Sequence, residues 1–405
     1  MAIPDIHSLI AKKKIIIFGA GKEAKEFVKK YSDKIKINYF TSNDETEKDF
    51  DNLTRINISE LPIMKGCYII ICASALGVAH IESQLSLCFQ PWEDFVDSNI
   101  FEQAFQGKKK LIVVEGLCHQ ELVVKGLTLT PEINNDYIVK FYWKALLKSN
   151  ASLRQQRNLL YRYADFVIQL QLRSEEAAAS LVNVPIIKMP LTYMQFLYPQ
   201  IICAQEMGIT YLCNPYKMKL KKKLGDIRAF RYTDTNIVRM LQQGLSEDDV
   251  LYEISKLDFY DNGYLEKIMT SSIRTNTIND EMADIHLNTF IMQNFKERKL
   301  FLDGQHWSNV LAWEAIRQIL YLMGLGNIKI PDLNLIEELT KEDAVWANEI
   351  PIYPSVIKLM GLKWAENDSV YTMVKLNEIK KVTFHDYMKE YIRYVNYSLK
   401  VQEVW

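Results

Sequence analysis

The sequence predicts an α/β protein with a small parallel sheet, a larger α/β domain and a helical C-terminal extension. Short apolar runs typical of buried strands, such as Lys14–Phe18 and Leu111–Glu115, alternate with helical segments. Glycine-containing turns follow both runs, as expected where a parallel strand passes into a helix. The chain has 405 residues, which is more than one ordinary core holds. We therefore predict domains at residues 1–106, 107–331 and 332–405.

The first domain has the pattern of a Rossmann-like module. Its first strand turns through glycines into a helix over residues 23–31, and further strands are predicted at 35–40, 68–74 and 95–97. Such glycines allow a phosphate to approach the backbone at a helix N-terminus. The candidate cofactor-binding residues are Gly19, Gly21, Lys22 and Asp44, the last where an acidic residue would contact a ribose. A bound nucleotide or nucleotide-sugar and a structural role without a ligand both stay open.

A candidate nucleophile lies in the second domain, which follows a lysine-rich linker at residues 106–110. The strand at residues 111–115 ends in Gly116-Leu117-Cys118-His119-Gln120, and a helical segment follows. A helix N-terminus lowers the pKa of a thiol and offers N–H groups to an oxyanion. Gly116, His119 and Gln120 are therefore candidates for oxyanion or orienting roles. The alternative is that Cys118 is a buried core thiol, which is the commoner state of a free cysteine.

A candidate base lies far downstream, in Asp303-Gly304-Gln305-His306-Trp307-Ser308-Asn309. Asp303, three residues before His306, is spaced to orient the imidazole while its other nitrogen faces the thiol, as in acyl-transfer triads. Ser308 and Asn309 are candidates for orienting the imidazole or an oxyanion, although either residue also suits the N-cap of the helix predicted at 310–323. His119 is a second candidate base. Taken alone, His306 would more often be an ordinary buried or surface histidine.

These two blocks resemble the G-N-C-Q and L-F-x-x-x-x-H-P-S-N blocks of the WcbI-type polysaccharide-biosynthesis family. Weaker similarity at residues 164–169, 185–190 and 244–246 extends the resemblance over roughly residues 110–395. Leu117 stands where the family has Asn, and Trp307 stands where it has Pro. Gln169 matches the family's D-x-x-I-x-Q strand and is a further candidate cofactor-binding residue.

The resemblance implies an SGNH-like catalytic domain and an acyltransferase that uses coenzyme A thioesters, such as acetyl-coenzyme A, in capsule or surface-glycan assembly. The expected reaction is O-acetylation of a sugar acceptor, either through a thioester on Cys118 or by direct activation of the sugar hydroxyl by His306. An SGNH-like esterase and a non-catalytic assembly protein that binds a glycan or a nucleotide-sugar are the alternatives. The Leu117 and Trp307 departures favour the non-catalytic alternative.

Net charge, cysteine spacing and apolar runs limit which partners and which cellular location we expect. The formal net charge of −1 argues against a nucleic-acid partner. The six cysteines form no C-x-x-C pair, the N-terminus lacks a signal-peptide pattern, and no apolar run is long enough for a membrane span. We therefore expect a cytoplasmic protein without a metal site. The basic run Lys217–Lys223 suits the phosphates of coenzyme A or of a lipid-linked glycan at a membrane surface, or is simply a solvated loop.

Overall fold

The computed structural model describes residues 5–44, 50, 52–73, 75–108, 110–171, 184–202, 233–327, 335, 349–365, 369–375 and 378–402. The chain forms two compact units. The first unit contains residues 1–170, 174–188 and 321–329, and the second contains residues 171–173, 189–320 and 330–405. The predicted boundary after residue 106 separates two sheets in the sequence, and both of these sheets belong to the first unit.

The N-terminal sheet is parallel and has five strands. They are β1 (Lys14–Phe18), β2 (Ile37–Thr41), β3 (Thr54–Arg55), β4 (Cys67–Ile71) and β5 (Phe95–Asp97). Their spatial order is β3-β2-β1-β4-β5, and every neighbouring pair is parallel. This is the order of doubly wound nucleotide-binding sheets, in which ligands bind where the strand order reverses, here between β1 and β4.

The second sheet of this unit has four strands. They are β6 (Lys110–Gly116), β7 (Tyr137–Trp143), β8 (Phe166–Leu170) and β9 (Ile186–Met189), in the order β7-β6-β8-β9. The β6 strand pairs in parallel with both β7 and β8, and residues 111–116 of β6 are all buried. A strand that is covered on both faces has an unbroken run of apolar residues, which explains why β6 could be predicted from the sequence. Strand β7 lies at the edge of this sheet.

Helices connect and cover these strands. They are α1 (Ile6–Ile10), α2 (Lys22–Tyr31), α3 (Ala75–Leu85), α4 (Ser98–Phe105), α5 (Cys118–Leu129), α6 (Pro131–Asp136), α7 (Lys144–Ser149) and α8 (Ala151–Tyr161). Helix α2 illustrates how these helices pack, with one apolar face towards the core. Its apolar residues recur at helical spacing and are all buried, namely Ala24, Phe27, Val28 and Tyr31. One hydrophobic core joins buried residues of both sheets, including Ile17 of β1 and Val113 of β6, so the sheets are packed as one unit.

The second unit is mainly helical. It contains β10 (Ile201–Ile202), β11 (Thr233–Asp234), α9 (Thr235–Gln242), α10 (Glu247–Ile254), α11 (Asn262–Glu281), α12 (Asn288–Asn294), α13 (Asn309–Leu322), α14 (Pro354–Met360), β12 (Val370–Lys375), β13 (Glu378–Thr383) and α15 (Phe384–Gln402). Short 3-10 turns occur at Ile58–Ile63, Gln195–Leu197 and Lys363–Ala365. None of the helices in the described ranges is long and apolar enough to cross a membrane.

The structure confirms the predicted α/β class with two parallel sheets and a C-terminal helix. It differs from the predicted extension in one respect. Strands β12 and β13 form an antiparallel pair there, where only helices were expected. The run Val370-Tyr371-Thr372-Met373-Val374 is rich in β-branched and aromatic residues, which favour strands.

Candidate active site

The turn that contains Cys118 lies at the carboxyl end of a buried strand. Strand β6 ends at Gly116, and helix α5 begins at Cys118, so the backbone of Cys118 occupies the positive end of a helix. The side chain of Cys118 lies outside the described part of the structure. The backbone alone therefore places this residue where a parallel sheet usually presents functional groups.

Gln120 closes the turn from within. Its side-chain Oε1 accepts a hydrogen bond from the Leu117 N–H at 2.8 Å, which is one half of a capping box. A Cβ atom on Gly116 would lie 2.5 Å from both Cγ and Oε1 of Gln120, so only glycine leaves room for this arrangement. Gln120 is fully buried, and its Nε2 has no hydrogen-bond partner among the described residues. The turn thus holds an amide donor that is available to a ligand.

A buried ionic network supports the same strand. Glu115, just before the turn, accepts hydrogen bonds from Arg157 Nη1 and from the Tyr161 hydroxyl, both at 2.7 Å. Lys144 Nζ lies 3.9 Å from the other carboxylate oxygen of Glu115. Gln169 is the register partner of Glu115 on β8, and its buried Oε1 has no partner among the described residues. The sequence did not predict this network. Because Arg157 is paired with Glu115 inside the core, its charge serves the protein interior.

The structure brings Asp303 and His306 together in a tight loop of the second unit. The Leu302 N–H donates to the His306 carbonyl at 2.8 Å, which closes the loop. Asp303 Oδ1 accepts hydrogen bonds from the backbone N–H groups of Gln305 and His306, each at 2.7 Å. Its other oxygen, Oδ2, lies 2.7 Å from His306 Nδ1. Both side chains are buried, with exposed fractions of 6% for Asp303 and 4% for His306.

The electrostatics of this pair favour an ionised carboxylate. Burial acts to raise the pKa of the Asp303 carboxyl, but the facing His306 ring and the hydrogen bonds it accepts outweigh burial, so the pKa is lowered. An ionised Asp303 fixes the proton of a neutral imidazole on Nδ1 and leaves Nε2 as the basic nitrogen. This is the arrangement that a general base requires.

The residues after His306 anchor the loop. Trp307 is fully buried, and its indole Nε1 donates to Thr192 Oγ1 at 2.8 Å. The hydroxyl of Ser308 donates to the Lys299 carbonyl at 2.8 Å. Asn309 is half-buried and is the first residue of α13, so the helix begins one residue earlier than predicted. The Ser308 hydroxyl therefore has a structural partner, and the amide of Asn309 lies at a helix start.

The glycine turn of the N-terminal sheet has one packed and one open residue. Gly19 has φ +132°, and a Cβ there would lie 2.1 Å from the Cys72 carbonyl oxygen, so this position requires glycine. Gly21 is exposed at the start of α2, which has no side-chain cap. Lys22 pairs with Glu26 across an exposed helical turn at 3.8 Å. Asp44 is exposed, and its carbonyl accepts a hydrogen bond from Arg55.

Apart from those of the glycine turn, the predicted site residues thus form two groups, one in each unit. The first group contains Gly116, the backbone of Cys118, buried His119, Gln120 and Gln169, and the second contains Asp303, His306, Ser308 and Asn309. The closeness of Cys118 to His306 stays a prediction. The basic run at residues 217–223 lies outside the described residues. Within the described ranges, no group of three or more acidic, histidine or cysteine side chains is arranged to hold a metal ion.

Comparison with known proteins identifies a matching family and a solved structure with a similar fold. The family model of the polysaccharide biosynthesis enzyme WcbI matches residues 111–327. A solved structure is similar, with a TM-score of 0.51 and 15% identity over 72% of this chain and 92% of that chain. It is described as native WcbI, a novel polysaccharide biosynthesis enzyme, without a disulfide bond between coenzyme A and one of its cysteines. At this identity the likeness concerns the fold. Comparison with curated proteins found no match.

Proposed function

The chain belongs to the WcbI family of polysaccharide biosynthesis enzymes, and we propose that it transfers an acetyl group from acetyl-coenzyme A to a sugar hydroxyl in capsule or surface-polysaccharide assembly. The observation that carries this proposal is the buried contact of 2.7 Å between Asp303 Oδ2 and His306 Nδ1. It lies within the matched range 111–327, as does the turn of Cys118. A buried, carboxylate-oriented imidazole is a means of moving protons in acyl transfer.

In the covalent version of the mechanism, His306 Nε2 takes the proton from the Cys118 thiol. The resulting thiolate attacks the thioester carbonyl, the bond to the coenzyme A sulfur breaks, and the imidazolium returns its proton to that sulfur. His306 then takes the proton of the sugar hydroxyl, whose oxygen attacks the acyl group on Cys118. The Cys118 sulfur leaves and recovers the proton, so that an O-acetylated sugar is released from an unchanged enzyme.

In the direct version, His306 takes the proton of the sugar hydroxyl, and the sugar oxygen attacks the thioester without an acyl-enzyme. The bond to the coenzyme A sulfur breaks, and the imidazolium gives its proton to that sulfur. Both versions need a donor for the oxyanion that forms at the thioester carbonyl. The buried Nε2 of Gln120, which has no partner among the described residues, supports this role, together with the N–H groups at the start of α5. Gly116 contributes by leaving room for the Gln120 side chain.

The choice of coenzyme A as the donor rests on the family resemblance and on the ligand named for the similar solved structure. We assign the thioester end of this donor to the Cys118 turn. The Lys217–Lys223 run is our candidate contact for its phosphates, or for a membrane-bound glycan carrier. We expect the reaction to occur in the cytoplasm, before the glycan is exported.

The exposed turn at Gly21 favours a separate ligand in the N-terminal sheet. The start of α2 lies beside the point where the strand order reverses, and its N–H groups have no side-chain cap. We assign a nucleotide or nucleotide-sugar to this turn. Calorimetric titration with UDP and UDP-glucose tests it, and the variant Gly21→Glu should abolish the binding by placing a carboxylate at the phosphate position.

Intact-protein mass spectrometry after incubation with acetyl-coenzyme A, in the presence of reductant, tests the covalent version. Wild type should gain one acetyl group, and Cys118→Ser should gain none. Cys88→Ser is the matched control, because Cys88 is an exposed thiol outside the site. Acetylation that persists in Cys118→Ser but disappears in Cys88→Ser would contradict the covalent version. If wild type does not consume acetyl-coenzyme A in the presence of sugars, or if His306→Ala consumes it at the same rate, the transferase proposal fails.

The same constellation would cleave esters if water reached the acyl group, so an esterase is the second candidate. The buried state of His306, at 4% exposure, favours transfer because it limits the access of water. Hydrolysis of p-nitrophenyl acetate at a rate that exceeds acetyl-coenzyme A consumption would favour the esterase.

A further inference from the structure

A cavity of about 260 Å³ lies in the first unit, beside the edge strand β7. Five consecutive residues of this strand, Val139–Trp143, line it. Other lining residues are Asp97 and Ser98, at the junction of β5 and α4, and Ala73, just after β4. Exposed Asn99 also lines the cavity, so its mouth reaches solvent. The cavity therefore lies at the carboxyl end of the N-terminal sheet, where α/β proteins bind ligands.

Three buried charged side chains form one wall. Lys140 Nζ lies 2.7 Å from Glu82 Oε1 and 2.6 Å from Asp97 Oδ2. Burial raises the pKa of the Glu82 carboxyl, although the facing Lys140 ammonium opposes this. With Glu82 ionised the cluster carries one net negative charge, and with Glu82 protonated it carries none. In neither state does it attract a phosphate or a carboxylate.

A polar group that has no protein partner lines the same cavity. Tyr142 is 2% exposed, and its hydroxyl has no hydrogen-bond partner among the described residues. A buried hydroxyl without a partner costs stability, which indicates that a ligand or a water satisfies it. Apolar residues such as Leu146 and Leu153 also line the cavity. The cavity therefore offers hydrogen-bonding groups and apolar surfaces together.

We infer that this cavity binds one neutral sugar ring. The sugar hydroxyls would donate to the carboxylates of Glu82 and Asp97 and accept from the Tyr142 hydroxyl, while the C–H face of the ring packs on the apolar lining residues. Drug-sized ligands occupy pockets of about 300–1,000 Å³. A cavity of about 260 Å³ is thus suited to a single ring and too small for a nucleotide.

The position of the cavity relates this ring to the Cys118 turn. Trp143, at the cavity wall, is the register partner of Gly116 at the end of β6. The cavity lining therefore reaches the sheet end where α5 begins, and we take the bound ring as a candidate acceptor. That assignment rests on the proposed transferase function, whereas the binding of a ring does not.

Saturation-transfer NMR on the full chain tests the inference, with methyl α-D-glucopyranoside, methyl α-D-galactopyranoside and methyl α-D-mannopyranoside as probes. At least one probe should bind, and Tyr142→Phe should weaken its Kd by about threefold to tenfold, the effect of one hydrogen bond. Tyr137→Phe is the matched control, because Tyr137 is on the same strand but does not line the cavity. It should leave the Kd unchanged.

Tyr142→Phe removes a hydroxyl that has no partner in the described structure, so its melting temperature should equal or exceed that of wild type. The inference is overturned if no probe binds at tens of millimolar, if both Phe variants weaken binding equally, or if inorganic phosphate displaces the sugar. The acylation assay contains no sugar and the NMR assay contains no coenzyme A. Ring binding without acylation would therefore refute only the covalent version of the transferase, and acylation without ring binding would refute only the cavity.

Discussion

Replacing Asp303 by Asn tests the proposed base most directly, because it removes the charge and keeps the shape. The new amide oxygen can still accept the backbone N–H groups of Gln305 and His306, which now bond to Oδ1 at 2.7 Å. The amide nitrogen would then face His306 Nδ1 as a donor. The neutral imidazole must accept there, so its proton moves to Nε2, and the nitrogen that should act as the base is blocked.

The expected loss of rate is large, and the expected loss of stability is small. A wrong imidazole tautomer costs about 10⁴ in kcat when the carboxylate partner of a catalytic histidine is replaced by its amide. Against this, the variant exchanges one charge-assisted hydrogen bond, worth about 1.5–3 kcal/mol, for a neutral one, worth about 0.5–1.5 kcal/mol. It also removes the desolvation cost of a buried carboxylate. We therefore expect unfolding to become easier by no more than about 2 kcal/mol.

Consumption of acetyl-coenzyme A, followed by chromatography with a sugar acceptor present, reports on both the covalent and the direct mechanism. Chemical denaturation of the same samples measures the free energy of unfolding. Asp258→Asn is the matched control, because Asp258 is an exposed carboxylate in the same unit. A rate within tenfold of wild type for Asp303→Asn, in a folded protein, would refute the role of Asp303 as the residue that orients His306.

Three further substitutions test the surroundings of the site. Gly116→Ala should expel Gln120 from the turn, because the new Cβ would lie 2.5 Å from the Gln120 side chain. We expect the free energy of unfolding to fall by about 1–3 kcal/mol and acylation to be lost. The control Gly263→Ala in α11 should lose neither. Arg157→Met leaves Glu115 buried without its closest cation, so the free energy of unfolding, measured by chemical denaturation, should fall by about 3–5 kcal/mol. The fall should be larger than for Arg154→Met in the same helix. Burial raises the pKa of Asp234 to about 7, so this carboxyl binds its proton more tightly in the folded state, and its stabilising contribution, of about 4 kcal/mol, should be lost as pH rises from about 4 to 7. Asp234→Asn should flatten that slope, and an unchanged slope would contradict the assignment.

Local features of the site could be predicted from the sequence, whereas contacts between distant segments could not. The strand before Cys118 was predictable because burial on both faces leaves an unbroken apolar run. The contact of Asp303 with His306 was predictable because the two residues are three positions apart. An aspartate side chain also readily accepts hydrogen bonds from the backbone of the turn that it begins. The Arg157 contact with Glu115 joins residues 42 positions apart, and the sequence gives no periodicity that links them.

The buried charges of the cavity left one weak signal in the sequence. Lys140 interrupts an otherwise apolar strand, Tyr137–Trp143, and a lysine there must either reach solvent or find a carboxylate. Its two partners, Glu82 and Asp97, come from a helix and from a strand end of the other sheet. No spacing rule connects these three positions, because they meet only when the two sheets pack on each other. Strands β12 and β13 are different, because they are adjacent in the sequence and the β-branched and aromatic residues at 370–374 favour a strand, so a local signal for this pair was present in the sequence.

Trp307 bears on whether the site is functional. A tryptophan where the family has proline favoured a non-catalytic protein, because proline would fix the backbone directly after His306. In the structure Trp307 is fully buried and its indole N–H donates to Thr192 at 2.8 Å, while the Leu302 N–H closes the loop on the His306 carbonyl at 2.8 Å. Side-chain packing therefore restrains the loop where the family uses a ring in the backbone. Because Asp303 and His306 make their 2.7 Å contact with Trp307 present, this departure does not by itself disrupt the proposed pair.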